Sequence, residues 1–212
     1  DCAQCFLGTD DEGRIAGTIG DVGSWSLENS KHLSSGDGGI VTTDNTKLAK
    51  FMRQFGGVGF KNITAQSGKV RIDKDKFQNP DWKRHNIMAY NYRLPELCAA
   101  VALAQLENLD IFLQKKRKLA NLYEAFFNSA GYNFVTDIID SKSNFWLNTI
   151  VLDNKQQRDD FLNKTNSKGV MTRPVWKLMN KLPMFKDAQC GDLKNAEWLE
   201  ERIVNIPSSV IL

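Results

Sequence analysis

From Pro95 to Gly131 the apolar residues recur at helical spacing, and no other stretch of the chain constrains the fold as firmly. Leu97, Val101, Ala104 and Leu109 make one stripe. Leu119, Leu122, Tyr123 and Phe126 continue it in a second helix expected over about residues 111–129. Pro95 suits a first helical turn, where its missing N–H costs nothing, and Glu96 suits the positive end of the helix dipole. Gly131 stands just past the last apolar residue, where a helix stops. On either side of this block the pattern is different. Residues 24–27 and 39–43 read as short strands, and Asn45 then precedes an amphipathic helix with Leu48, Phe51, Met52 and Phe55 on one face. Residues 56–90 mix glycine, asparagine and lysine with weak periodicity and predict a long irregular excursion. After residue 130 come a strand over 145–152, a helix over 156–167 and a strand over 169–174 that ends at Pro174. A short helix over 195–202 and a strand over 203–206 follow. Strands alternating with helices imply an α/β or α+β arrangement, and the shift near residue 130 marks a domain boundary.

With 42% hydrophobic residues in 212, the chain has enough apolar side chains for a sizeable core. No apolar run approaches the ~20 residues that a membrane span needs, and no basic segment with an apolar stretch behind it opens the chain. A cytoplasmic protein with no membrane partner is expected. The charges are 28 basic against 25 acidic, too balanced to argue for nucleic acid. The basic run Lys115-Lys116-Arg117-Lys118 reads as the solvated face of a helix. Cys2 and Cys5 form a C-x-x-C, but Cys98 and Cys190 stand alone and His32 and His85 are the only histidines. Reduced thiols fit this pattern better than a zinc site or a redox pair. The chain begins at Asp1 inside an apolar stretch and stops at 206–212 without a closing helix, so a fragment is expected.

The chemistry concentrates between Gly17 and Gly39. Glycines there permit tight turns and close approach of backbone to a ligand, while Ser24, Ser26, Ser30, Ser34 and Ser35 offer hydroxyls to phosphate oxygens. Lys31 sits in their midst. From these residues alone it could be a point charge for phosphate, a Schiff-base nucleophile or a plain surface lysine, and the plain reading is the better one.

Three ordered motifs change that balance. The run from Ser26 through Lys31 to Gly36-Asp37-Gly38-Gly39 resembles the cofactor-lysine motif of the DegT/DnrJ/EryC1/StrS aminotransferases, with Asp37 where glutamate is commoner. Asp1-Cys2-Ala3-Gln4 resembles that family's Asp-x-Ala-Gln, and Tyr90-Asn91-Tyr92-Arg93-Leu94-Pro95-Glu96 its Asn-Tyr-Arg segment before a helix. The similarity runs from Asp1 to the end, over what would be the second half of such an enzyme.

The resemblance implies fold type I of the pyridoxal-phosphate enzymes. Residues 1–110 would be part of a large α/β domain with a mostly parallel sheet, 111–130 a connecting helix, and 131–212 a smaller C-terminal α/β domain. Pyridoxal 5′-phosphate would be the cofactor. Lys31 would attach it covalently and shuttle a proton, Asp1 would pair with its pyridinium nitrogen, Gln4 with its phenolic oxygen and Ser26 with its phosphate. Asn91 would reach the phosphate of a neighbouring subunit in a homodimer, although an asparagine before a helix can also be a plain helix-entry residue. His32 and His85 are read as hydrogen-bonding residues. The implied reaction moves an amino group from an amino donor, L-glutamate, to a keto group of a nucleotide-linked sugar, for a surface polysaccharide or glycan. Residues 169–176, 182–185 and 205–209 resemble the branch that aminates carbon 4 of a UDP-linked 4-keto-6-deoxy-N-acetylhexosamine. Some members of the family dehydrate the sugar instead, with histidine in place of the lysine, and Lys31 favours transamination. A non-catalytic interaction or scaffold fragment is the competitor from another class.

Overall fold

Asn45, in extended backbone, accepts hydrogen bonds from Lys47 N (2.9 Å) and Leu48 N (3.2 Å), and so caps the first helix, α1, Thr46–Gly56. Before it lie the strands β1, Gly23–Ser26, and β2, Gly39–Thr42, paired antiparallel with Trp25 opposite Ile40. These elements belong to the first of two units, Asp1–Phe6 with Arg14–Glu107; the second is Leu7–Gly13 with Asn108–Leu212. The computed structural model describes residues 1–59, 64–66, 69–71, 85 and 87–210. The irregular excursion expected over 56–90 falls largely outside these residues; its described part holds an antiparallel pair, β3 (Thr64–Gln66) and β4 (Lys69–Arg71). Helix α2, Glu96–Leu106, starts directly after Pro95, as that residue predicts.

In unit 2 the long helix α3, Leu109–Ser129, turns Ala120 and Phe127 inward. Gly131 at φ +80° lets Tyr132 N–H reach back to Phe127 O, which ends the helix. A four-stranded antiparallel sheet follows in the order β5 (Asn133–Phe134), β6 (Asn148–Val151), β8 (Ile203–Ile206), β7 (Arg173–Pro174). Its buried face carries Phe134, Ile150, Val204 and Ile206, packed with Ala120, Phe127, Phe145 and Leu152. Tyr123 from α3 and Phe161 and Leu162 from α4, Lys155–Ser167, close over that cluster. Helices and strands pack together in one core, which is α/β in the broad sense. Helix α5, Lys194–Glu200, precedes β8.

The expected mostly parallel sheet is not among the described residues, where every strand pair is antiparallel. Two strands are also shorter than their apolar patterns. Phe145 at φ +48° and Trp146 are drawn into turns by Ser143 Oγ and Asn144 Oδ1, which accept their N–H groups, so the ladder begins at Asn148. Gly169 at φ +78° turns the chain back, so that Val170 N–H bonds Thr165 O and Thr172 bonds Thr165 and Asn166; only Arg173–Pro174 remain for pairing.

Candidate functional site

The loop from Leu27 to Gly38 joins β1 to β2 and carries Lys31. Its mouth is closed by Leu27 N–H to Gly38 O (2.9 Å) and Ser35 N–H to Leu27 O (3.0 Å), with Leu27 and Leu33 buried beneath it. Inside the loop Lys31 N–H donates to Glu28 O at 3.0 Å, forming a turn that leaves the lysine half-buried. Ser26 Oγ accepts from Glu28 N at 3.2 Å at the start of the same turn. Ser30 donates both its hydroxyl and its N–H to the Glu28 carboxylate, which lowers the Glu28 pKa below its ordinary range. The far side of the loop is a run of backbone turns. Ser35 Oγ–H donates to Asp37 O (2.6 Å), Gly36 adopts φ +88° and Gly38 φ +124°. At Gly38 the positive φ favours glycine, and a Cβ there would lie 2.5 Å from Leu94 Cδ1, which would have to shift.

The turn of Asp1 to Gln4 lies beside β1, held by Cys2 N–H to Ser24 O at 2.8 Å, with Cys2 buried. Asp1 Oδ1 accepts from Ala3 N at 2.9 Å, and Asp1 and Gln4 are exposed. Asp1, Gln4, Ser26 and Lys31 thus all belong to one hairpin and the turn tethered to it. Asn91 lies elsewhere in unit 1, bridged to Gly57, with its Oδ1 accepting from Arg93 Nε at 2.9 Å. It precedes α2 by several residues and is not a helix-entry cap. Tyr90 and Tyr92 stack beside it at 5.3 Å and pack against Phe55. Tyr92 and Arg93 also line a concavity of about 610 Å³ together with Val41, Phe51, Arg53 and Phe55. His85 Nδ1 lies 2.6 Å from Val58 O, and both ring nitrogens of His32 are buried. All four cysteines are free thiols, and burial together with a bond to Cys2 raises the Cys5 pKa.

Unit 2 holds groups that the sequence did not single out. Lys116 is not on a solvated helix face. It enters the core, and its Nζ donates to Trp146 O (3.0 Å) and Ser208 O (2.7 Å); burial pushes its pKa down to about 8. Arg117, its side chain 40% exposed, bonds Asp137 (2.7 Å) and Ser143 O (2.7 Å) with its guanidinium 5.1 Å from the Phe145 ring centre. The available signal was position: Lys116 lies one helical turn before Ala120, on the face that α3 buries. Beside Lys116, Ser208 Oγ accepts from Asn148 N and donates to Ile206 O, extending the β6–β8 ladder by a side chain. Trp146 stacks on Trp176 at 6.0 Å, with planes within 8°.

One lysine among hydroxyls and turned glycines, with a carboxylate and an amide in the adjoining turn, thus gather on one hairpin. The model of the DegT/DnrJ/EryC1/StrS aminotransferase family matches residues 1–212, and the chain belongs to that family. It is 30% identical over 208 residues to a GDP-perosamine synthase of Escherichia coli O157:H7, covering 98% of this chain and 52% of that protein. The chain spans about half the length of the curated relatives it matches. Among solved structures, a DegT DnrJ EryC1 StrS aminotransferase from Brucella abortus superposes with a TM-score of 0.78 at 24% identity, covering 98% of this chain and 51% of that one. The E. coli GDP-4-keto-6-deoxy-D-mannose-3-dehydratase with bound hydrated PLP gives 0.79 at 21% identity, with 98% and 55% covered. The fold is therefore that of the fold type I pyridoxal-phosphate sugar aminotransferases.

Proposed function

We propose that this chain carries the lysine-bearing part of a pyridoxal-phosphate-dependent aminotransferase that moves an amino group from L-glutamate to the keto group of a nucleotide-linked deoxysugar. The observation that carries the proposal is the half-buried Lys31 in its serine- and glycine-turned loop, with the Asp1–Gln4 turn tethered to the same hairpin. The donor set fits the cofactor: one amine, one carboxylate, one amide and hydroxyls, in a loop whose glycines leave the backbone open to close approach. When bound, pyridoxal phosphate supplies an electron sink for the carbon that gains or loses the amino group. Lys31 Nζ would hold the cofactor covalently, and its amine would be the group that moves a proton at the reacting carbon. The Asp1 carboxylate would favour a proton on the ring nitrogen, which an amide in its place would not do. Gln4 would bind the ring's phenolic oxygen, and Ser26 the phosphate.

Residues 1–110 act in this reading as part of the large cofactor-binding domain, 111–130 as the connecting helix and 131–212 as the small domain. Asn91, exposed and next to its own Arg93, serves the phosphate of a second copy in a homodimer. A cytoplasmic location belongs to this reading; among the described residues no helix is long and apolar enough to cross a membrane. A dehydratase is the second reading, favoured by the likeness to the E. coli 3-dehydratase; the lysine at position 31 stands against it. The test is chemical. In the full-length protein, Lys31→Ala is expected to abolish both a borohydride-reducible link to the cofactor and half-transamination with L-glutamate. Retention of either would move the chemistry to another lysine and overturn the proposal.

A further inference from the structure

Cys2 and Cys5 stand at the two ends of one tight turn, Cys2-Ala3-Gln4-Cys5, closed by Cys5 N–H to Cys2 O at 3.2 Å. A turn closed in this way keeps its first and fourth Cα atoms within about 7 Å, and a disulfide spans about 4.4–6.8 Å. Both thiols are free, and burial with a bond to Cys2 raises the Cys5 pKa. Cys2 is 7% exposed while Cys5 is half-buried, so the pair has an inner and an outer sulfur. Both ends of the turn are anchored to β1. Cys2 N–H donates to Ser24 O at 2.8 Å, and Phe6, directly after Cys5, packs edge-on against Trp25 at 6.4 Å. Bringing the sulfurs to the bonded distance of about 2.05 Å therefore falls on Ala3 and Gln4 between them. Ala3 N–H holds Asp1 Oδ1 at 2.9 Å, so the Asp1 carboxylate moves with that corner. The turn thus couples two thiols to one carboxylate and one amide.

We infer that Cys2 and Cys5 are a redox-sensitive modification site governing the cofactor site: a small-molecule disulfide such as oxidised glutathione converts the dithiol to an internal disulfide, which displaces Asp1 and Gln4 and weakens cofactor binding. The inference rests on the reading of Asp1 and Gln4 as partners of the cofactor ring. The Cys5 thiolate attacks one sulfur of oxidised glutathione, forming a mixed disulfide and expelling one glutathione thiolate. The Cys2 thiolate then attacks the Cys5 sulfur and expels the second. Two protein S–H bonds are lost and one S–S bond forms, while the two protons leave on two molecules of reduced glutathione. The protein thiols are oxidised and the glutathione disulfide is reduced. A raised Cys5 pKa makes the dithiol the resting form and the exchange slow, so the pair answers a sustained change in redox poise. A reducing compartment keeps it open, as is usual for sensing rather than structural cysteines.

The test equilibrates the full-length protein in glutathione buffers of increasing oxidised fraction, alkylates the remaining thiols and maps the peptides by mass. The peptide carrying Cys2 and Cys5 is expected to escape alkylation and to lose two hydrogen atoms, and dithiothreitol reverses both changes. Titration with pyridoxal phosphate, followed by absorbance, is run on the reduced and the oxidised protein. Oxidation is expected to raise the Kd by about tenfold or more, the loss of one hydrogen bond to a charged group, and reduction to restore it. Cys5→Ser and Cys5→Ala bind the cofactor as the reduced parent does and ignore the oxidant. Absence of a Cys2–Cys5 disulfide at every buffer ratio overturns the inference. So does a disulfide that leaves the Kd unchanged, or a response that persists in both Cys5 variants. Failure of the switch alone shows as cofactor attached at Lys31 equally in both redox states. A protein that attaches none in either state removes the aminotransferase reading instead, and the switch with it.

Discussion

Replacing Gly38 by alanine tests whether the Lys31 loop is held by its backbone. The residue sits at φ +124°, where a side chain is strained whatever the space around it, and that strain costs about 1–3 kcal/mol. The new Cβ would also lie 2.5 Å from Leu94 Cδ1, so that side chain has to shift; as the far end of a flexible side chain, it adds only ~0.5–1.5 kcal/mol of off-rotamer cost. The sum is a loss of about 1.5–4.5 kcal/mol, placed where Gly38 O accepts the Leu27 N–H that closes the loop. Urea denaturation followed by tryptophan fluorescence reads the loss. A double-mutant cycle with Leu94→Ala divides it: the overlap disappears when Leu94 is shortened, whereas the backbone strain stays. In this cycle Gly38→Ala costs less in the Leu94→Ala background than in the parent, by the overlap share. A total cost under ~0.5 kcal/mol, the range of an ordinary surface change, would show that the loop tolerates an alternative path at Gly38 and refute the reasoning.

Two further outcomes are expected. In the full-length enzyme Asp1→Asn lowers turnover by about 100-fold or more with circular dichroism unchanged, and unchanged turnover would remove Asp1 as the ring-nitrogen partner. For Lys116, burial lowers the folded-state pKa to about 8 from an ordinary 10.5. Between those values the unfolded chain binds more protons, so its contribution makes stability rise with pH, by less than ~1.4 kcal/mol per pH unit. Denaturation of parent and Lys116→Met across pH 7.5–10.5 checks this: the difference between them should grow with pH, and parallel profiles would show that Lys116 does not titrate in the core.

The helical period of α3 and the strand at 203–206 were legible because burial there follows side-chain spacing, with Ala120 and Phe127 inward on one and Val204 and Ile206 on the other. The hairpin around Lys31 was legible for a different reason: glycines and serines mark backbone turns wherever they stand. Strand ends were less legible. The pattern over 145–152 reads as one strand from Phe145, but side chains of Ser143 and Asn144 take the first N–H groups into turns. Lys116 was misread because charge is a good guide to exposure only when no acceptor waits inside, and its acceptors are backbone carbonyls of Trp146 and Ser208. Backbone acceptors leave no mark in composition. The Trp146–Trp176 stack joins residues thirty apart with no periodic relation, so only the folded chain brings them together.

Thr9 and Lys142 exchange two backbone hydrogen bonds, at 3.0 and 3.2 Å, and both belong to unit 2. That unit is discontinuous: all of Arg14–Glu107 is an excursion that leaves it after Gly13 and returns at Asn108. A single cut before Asn108 would therefore release a piece lacking Leu7–Gly13, with the Lys142 N–H and C=O stripped of their partner. Joining the ends of so long an excursion adds little cost beyond that of a shorter one, since closure entropy grows only with the logarithm of length. Length could thus be added to or taken from that excursion at little entropic cost, whereas exchanging it whole would strand Asp1–Phe6, whose Cys2 N–H is bonded to Ser24 O.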